Sequence, residues 1–149
     1  MEKIIQKMKT LIIETDDEKL IPKNAKPEDA GYDLMANNGG IILQPGETTL
    51  IGTGIKIQIP IGYEAQIRPR SGLAIKHGIT ILNSPGTIDS GYRGEIGIIL
   101  HNAGKDLFEI EKYDRIAQMV INKIEQPTII VGKVDTTDRG TDGFGSTGK

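Results

Sequence analysis

The 149-residue chain contains no cysteine and no tryptophan, and only four tyrosines and two phenylalanines. Without cysteine there is no disulfide, no cysteine-ligated zinc or iron–sulfur site and no thiol nucleophile. That absence fits a reducing compartment. The two histidines, His77 and His101, have no partners at metal-ligand spacing and read as structural or exposed. No apolar run approaches the ~20 residues of a membrane-spanning helix. "MEKIIQKMKT" mixes charges with short apolar pairs, unlike the uncharged stretch of a secretory signal. An excess of either charge is missing too: the net charge of -2 and pI of about 5.7 argue against a broad nucleic-acid or anionic-membrane surface. The expectation is a soluble, cytoplasmic protein with neither nucleic acid nor membrane as partner. Any phosphate binding would then depend on a few placed cations.

With so few aromatics the core must be aliphatic, and 26 isoleucines supply it. Such β-branched dominance, punctuated by 19 glycines and 7 prolines, points to an all-β domain of short strands. The length suits a single domain, taken as residues 1–137 with a polar lead-in at 1–8 (Met8 being an alternative start). Residues 138–149 form a separate glycine-rich arm. Strands are predicted at "TLIIE" (10–14), at "YDLMA" (32–36) and through "IILQPGETTLIGTGIKIQIP" (41–60), broken at Pro45-Gly46 and at Gly52. Ile55, Ile57 and Ile59 alternate with Lys56 and Gln58, the period of a half-buried strand. "YEAQIRP" (63–69) is another strand. "SGLAIKHG" (71–78) is the one predicted helix, with Ser71 as N-cap and Gly78 as its stop. Further on, "ITIL" and "TI" bracket the loop "NSPG", and a hairpin is expected around "DSGY" (89–92), feeding "RGEIGIIL" (93–100). "DLFEI", "DRIAQMVINKI" and "TIIV" complete the set. The expected architecture is a distorted jelly roll or β-barrel-like antiparallel domain with one short helix and a flexible C-terminal arm.

Polar residues concentrate in the loops. "RPRSG" (68–72) sets two arginines around a proline. Arg70, the Ser71 hydroxyl and the first-turn amides make either an anion cradle or a capped helix beside solvated arginines. In "NSPGTIDSGYRGE" (83–95), Asn83 can both donate and accept, as recognition of a base edge requires. Asp89 is a carboxylate placed for chemistry or an ordinary turn aspartate, and Tyr92 a ligand contact or a strand aromatic. Asp33, in "AGYDLMA", stands among small and apolar neighbours; it suits a metal-bound water or a set of backbone donors. Gln118 lies in an apolar strand, where a polar side chain needs partners. Ser71 has no evident triad, which sets nucleophilic catalysis aside. What remains is hard-ion chemistry: aspartates, arginines and small hydroxyls suit a magnesium–phosphate ligand, with the ion held mostly by the ligand's own phosphates.

The last residues, "DRGTDGFGSTGK" (138–149), hold four glycines beside an arginine, a phenylalanine and a Ser-Thr pair. Three readings compete: a loose terminus, a phosphate loop spelled G-x-x-x-x-G-K, and a lid that orders over a ligand. The phosphate loop needs a following Ser or Thr and a helix start, and nothing after Lys149 provides them in this sequence. The lid needs a phosphate-and-base site elsewhere in the chain.

Taken together, "AGYDLMA" (30–36), "RPRSGLA" (68–74), "GTIDSGYRGEI" (86–96), "DRIAQ" (114–118) and "RGTDGFGSTG" (139–148) resemble the five motifs of the trimeric all-β dUTPase family, in family order. The resemblance implies cleavage of dUTP to dUMP and pyrophosphate with magnesium across the triphosphate. It implies that Asp89 positions the attacking water, that Arg70, Ser71 and Gly72 hold phosphates, and that Asp33 and Gln118 support metal-bound waters and the site's hydrogen bonds. Asn83, with the backbone at Gly86 and Ile88, would pair with uracil, while Tyr92 would pack beneath the deoxyribose. Phe144, with Gly145, would cover the base as Arg139, Ser146 and Thr147 hold the γ-phosphate. A homotrimer with active sites between subunits is implied as well. Two positions depart from the family pattern: Tyr113 stands where a glycine usually precedes "DRIAQ", and Asp142 stands at a lid position expected to be glycine.

Overall fold

Alternating isoleucines set the sheets. In the computed structural model, which describes residues 10–148, the strands are β1 (Ile12–Glu14), β2 (Tyr32–Met35), β3 (Ile41–Leu43), β4 (Thr48–Gly52), β5 (Lys56–Gln58), β6 (Tyr63–Arg68), β7 (Ile79–Ile81), β8 (Gly86–Ile88), β9 (Gly97–Asn102), β10 (Phe108–Ile110) and β11 (Arg115–Lys123). A four-stranded sheet runs β2-β11-β6-β8 and a three-stranded sheet β4-β9-β7; β1 pairs with β5 and β3 with β10. Every named ladder is antiparallel. The strands form a jelly-roll-like arrangement and no ladder closes into a barrel. The lead-in at 1–8, with Met8, lies outside the described residues.

The inner faces meet in an aliphatic core that includes Ile51, Ile55, Ile57, Ile67, Ile96, Ile98, Leu100 and Met119. Ile55, Ile57 and Ile59 are buried while Lys56 and Gln58 are exposed, as the period-two pattern predicts. Each fully buried isoleucine contributes about 1.5–3 kcal/mol. Two polar residues join this core because their bonds are made. Thr53 donates its hydroxyl to the Ile96 carbonyl at 2.6 Å. Asn102 donates Nδ2 to Leu43 O and Asp106 O and accepts from the Gly104 amide, all at 2.9 Å.

Helix α1 (Ser71–His77) is stopped by Gly78 at φ 67°, which returns its amide to Ala74 and Leu73. The N-cap, however, is Arg70, and no side chain caps the helix. Ser71 is already the first helical residue, so its hydroxyl is left for something else. A short 3₁₀ turn (Glu18–Leu20), capped by Asp17, was not expected.

Three other expectations are corrected. Gly52 ends β4 rather than breaking the chain; the turn falls at Thr53-Gly54, where Gly54 adopts φ 68°. No hairpin forms at 89–92: β8 pairs with β6, and β9 pairs with β4 and β7, so the turn carries the chain from one sheet to the other. "TIIV" (128–131) is no strand, because no edge among the described residues pairs with it; Ile129, Ile130 and Val131 are 91%, 84% and 105% exposed.

Candidate active site

Three strands of the larger sheet bring one polar row together. Asp33 of β2 pairs with Gln118 of β11, which pairs with Arg68 of β6. A bulge between Arg115 and Ala117 then turns the start of β11, the device that re-aims side chains beside functional sites. Its result is a carboxylate held by two guanidiniums. Arg70 Nε lies 3.3 Å from Asp33 Oδ1 and Arg115 Nη1 3.7 Å from Oδ2. Arg70 Nη1 also donates to the Arg115 carbonyl at 3.0 Å.

Gln118 has the partners that its apolar strand requires. Its Nε2 donates to Pro69 O at 2.8 Å, and its Oε1 lies so close to Gly31 that a side chain at that position would collide with it. These residues surround a pocket of about 400 Å³ that also includes Asp29, Ser71 and Gly72. Ser71 and Gly72 are exposed at its rim, and nothing lies within 4 Å of where a Gly72 Cβ would sit. The pocket therefore offers two arginines, a free hydroxyl and an open helix turn, a set suited to phosphate oxygens.

Arg115 is the residue that sequence reasoning missed. It lies inside "DRIAQ", but only the β2–β11 register and the bulge bring it to Asp33.

A second pocket, of about 270 Å³, is lined by Leu50, Thr87, Ile88, Asp89, Tyr92, Glu95, Gly97 and Ile99. Asp89 is exposed on the turn closed by the Tyr92 amide donating to Asp89 O at 3.1 Å. Tyr92 donates its phenol to Glu95 O at 3.0 Å. Asn83, also exposed, lies beside buried Gly86 at the start of β8.

The two pockets share no lining residue. Ile88 pairs with Ala65, three residues along β6 from Arg68, and the row from Arg68 to Asp33 crosses two more strand steps. At about 3.4 Å per residue and 4.8 Å per strand step, Asp89 is roughly 20 Å from Asp33 along the sheet. The structure thus assembles Asp33, Arg70, Ser71, Gly72 and Gln118 in one place and Ile88, Asp89 and Tyr92 in another.

The arm joins neither pocket. Phe144 is 115% exposed at φ 50°, and Arg139 Nε donates to Asp142 O at 3.0 Å within a local turn. Gly145, Ser146 and Thr147 follow in turns of the same arm.

Tyr113 takes the conformation that a glycine would favour, φ 73°. The ammonium groups of Lys112 and Lys19 lie over its ring, 5.1 and 5.6 Å from the centroid. Its phenol donates to Asp17 Oδ2 at 2.6 Å. That bond, then the Lys19 amide, holds the Asp17 carboxyl below its ordinary value, and Asp17 in turn pushes the Tyr113 phenol upward.

Other cavities suit phosphate less. One of about 280 Å³ carries Glu14, Asp16, Asp17 and Glu95, whose charge repels phosphate. One of about 550 Å³ is lined by Leu11, Ile13, Pro22, Tyr32, Pro60, Tyr63, Met119 and Ile121, with no acid or basic side chain. Among the described residues no helix is long and apolar enough to cross a membrane.

A model of the dUTPase family matches residues 17–148, most of the chain. The chain belongs to the dUTPase family. It is 54% identical to the deoxyuridine 5'-triphosphate nucleotidohydrolase of Nautilia profundicola, over 95% of this chain and 100% of that protein. It is 55% identical to the Clostridium novyi protein of the same name, over 95% and 99%. Among solved structures, the Staphylococcus bacteriophage 80alpha dUTPase with dUPNHPP superimposes with a TM-score of 0.84 at 29% identity, covering 94% of this chain and 99% of that one. A dUTPase from phage phi11 of S. aureus, whose structure describes the coordination of a structural Mg(II) ion, gives 0.77 at 26% identity, covering 84% and 97%. Membership makes the chain a hydrolase of nucleotide metabolism, and the family's jelly-roll-like fold is the one found here.

Proposed function

We propose that the chain hydrolyses dUTP to dUMP and pyrophosphate, with phosphates in the Asp33–Arg70–Ser71–Gln118 pocket and the nucleoside against the Asp89–Tyr92 turn. Asp89, an exposed carboxylate at the edge of a part-apolar pocket, holds a water in line with the α-phosphorus and takes its proton. Arg70 and Ser71 receive charge that gathers on the departing pyrophosphate. Asp33 keeps both guanidiniums facing the pocket, and Gln118 anchors the chain before Arg70 through Pro69 O.

The donor set fits magnesium as a substrate-borne ion. Both Asp33 oxygens are already paired with arginine, and no group of three ligating side chains occurs among the described residues. A hard ion would take its inner ligands from phosphate and water, with Asp33 contacting those waters. When bound, it neutralises charge on the triphosphate.

Selectivity follows from the second pocket. Asn83, beside Gly86 and outside that pocket's lining, would with the backbone at Gly86 and Ile88 meet uracil's edge, and Tyr92 beneath the sugar would leave no place for a 2′-hydroxyl. Unpaired buried polar groups would reject a wrong base by as much as ~10⁴-fold. The observation that carries this reading is that the two pockets share no lining residue; the path along the sheet from Asp89 to Asp33 is roughly 20 Å, longer than one triphosphate chain. One chain's phosphate pocket is completed by Asp89 of another, in a homotrimer with active sites between subunits. Phe144 and Gly145 of the arm cover the base, while Arg139, Ser146 and Thr147 close on the γ-phosphate; the product dUMP becomes available for thymidylate synthesis, and uracil is kept out of DNA.

The test is incubation with magnesium and, separately, dUTP, dCTP, dTTP and UTP, with chromatographic identification of products. Pyrophosphate and dUMP from dUTP alone are expected. Deamination of dCTP would assign the chain a different reaction, and no turnover of any would leave a binding module.

A further inference from the structure

The turn that carries Asp89 and Tyr92 has little support from its own strands. β8 ends at Ile88 and β9 begins at Gly97, in different sheets. Between them, residues 89–96 are held mainly at their far end. The Ile96 carbonyl accepts from both the Thr53 amide and hydroxyl, at 3.1 and 2.6 Å, and the Ile96 amide donates to Ile55 O at 2.9 Å. One residue earlier, Glu95 makes two contacts of a different kind. Its Oε1 accepts the Gly54 amide at 2.7 Å, and its own carbonyl accepts the Tyr92 phenol at 3.0 Å.

Gly54 is itself fixed: it stands at φ 68°, and its carbonyl accepts the Thr15 hydroxyl at 2.9 Å. The Tyr92 ring is folded back onto Gly94, so closely that a side chain there would occupy the ring's own space. The height of that ring above the pocket is therefore set by where residue 95 is anchored: through the peptide it shares with Ile96, whose amide donates to Ile55 O, and through one side-chain hydrogen bond from the Gly54 amide to the Glu95 carboxylate.

We infer that Glu95 is a positioning residue for sugar selection: its carboxylate, clamped on the Gly54 amide, holds the Tyr92 ring at the height that rejects a 2′-hydroxyl. The inference rests on the proposed dUTP reading of the Tyr92 pocket. The clamp needs an acceptor oxygen at the right reach; it does not need the charge.

Three variants separate these properties. Glu95→Gln keeps an acceptor oxygen at the same reach and loses the charge. Glu95→Asp keeps the charge and falls short by one methylene. Glu95→Ala loses both. The readout is the ratio of kcat/KM for dUTP to that for UTP, with a thermal melt alongside. Loss of one hydrogen bond of this kind corresponds to about a tenfold change. The ratio should fall about tenfold in Glu95→Ala and Glu95→Asp through better use of UTP, and stay within about twofold in Glu95→Gln. Glu95→Asp also serves if Glu95→Ala does not fold. A ratio that stays at the wild-type value while both substrates lose activity together would make Glu95 merely structural and overturn the inference. So would Glu95→Gln behaving like Glu95→Ala. Failure of the underlying reading looks different: the wild-type protein would not prefer dUTP to UTP at all, or Tyr92→Ala would leave the preference intact.

Discussion

Replacing Arg70 by lysine separates what this arginine does for the fold from what it does for phosphate. Its guanidinium has two partners, Asp33 Oδ1 at 3.3 Å through Nε and the Arg115 carbonyl at 3.0 Å through Nη1. A lysine ammonium is a point charge on a flexible stem and can satisfy one of them. The ion pair is partly solvated, with side-chain exposures of 29% and 23%, so its share is discounted to well under 1 kcal/mol. The lost carbonyl bond adds about 1 kcal/mol. A domain of this size loses roughly 2–4 °C of Tm per kcal/mol, so the expected drop is about 3–5 °C. For catalysis the expected loss is larger, because under the proposed function planar two-point recognition of a phosphate would disappear where leaving-group charge is greatest. Removal of one such donor costs about 10²–10³-fold in rate. The assay is pyrophosphate release from dUTP with magnesium, beside a thermal melt of the same preparation. Arg70→Lys retaining kcat/KM within about threefold would refute the assignment of Arg70 to the reacting phosphates. A Tm loss beyond about 10 °C would show that its main task is structural.

Asp89→Asn should bind nucleotide and melt like the parent, since its exposed side chain faces the pocket, while turnover falls by about 10²–10⁴-fold; near-normal turnover would remove it from the mechanism. Truncation after Asp138 should leave Tm and assembly state unchanged, because the arm's described hydrogen bonds are local turns, and should lower kcat/KM by about a hundredfold; dissociation of the assembly would contradict the lid reading. The Asp17–Tyr113 pair predicts a pH signature. The Asp17 pKa is lowered from 3.8 by the Tyr113 phenol first, so that contribution is present above the ordinary carboxyl range and lost as pH falls through the folded-state value. The Tyr113 pKa is raised above 10.0 by Asp17 first, so its contribution is present below the ordinary phenol range and lost as pH rises through the folded-state value. The Tm gap between the parent and Tyr113→Phe should therefore be widest between these limits and close at both; a gap independent of pH would deny the bond its role.

Much of the candidate pocket was legible in the sequence because its lining residues sit in contiguous motifs. "AGYDLMA", "RPRSGLA" and "DRIAQ" each delivered a residue to one pocket, Asp33, Arg70 and Gln118. What the motifs could not convey is how strands pair. Arg115 reaches Asp33 only through a bulge, and a bulge depends on the register between segments about 80 residues apart. The hairpin expected at 89–92 was misplaced for a related reason: the turn signal was genuine, but β4 and β6, remote in sequence, claim the flanking strands. Ser71 and Arg70 exchange roles at the N-cap because a one-residue shift in helix start is invisible to composition. "TIIV" has strand propensity and no strand partner among the described residues, so propensity alone could not decide its state.

The separation of Asp89 from Asp33 can be turned into an all-or-none test of where an active site's parts come from. Consider two variants, Asp89→Asn and Arg70→Ala, each inactive alone. Unfold them together and refold the mixture in equal amounts. If both residues of a site came from one chain, every site would carry one defect and no activity would return. If Asp89 comes from one subunit and Arg70 from its neighbour in a closed ring, a site works whenever the first is an Arg70→Ala chain and the second an Asp89→Asn chain. Each neighbour is drawn independently, so about one quarter of all sites are intact whatever the ring size. Recovery near a quarter of parental activity, rising from nothing as the second variant is added and returning to nothing when either is alone, is the expected result. Absence of recovery, with mixed assemblies demonstrated by mass, would mean that arm or loop motion brings Asp89 to its own chain's phosphate pocket. The assembled-site reading would then be wrong even if the residues assigned to the chemistry were right.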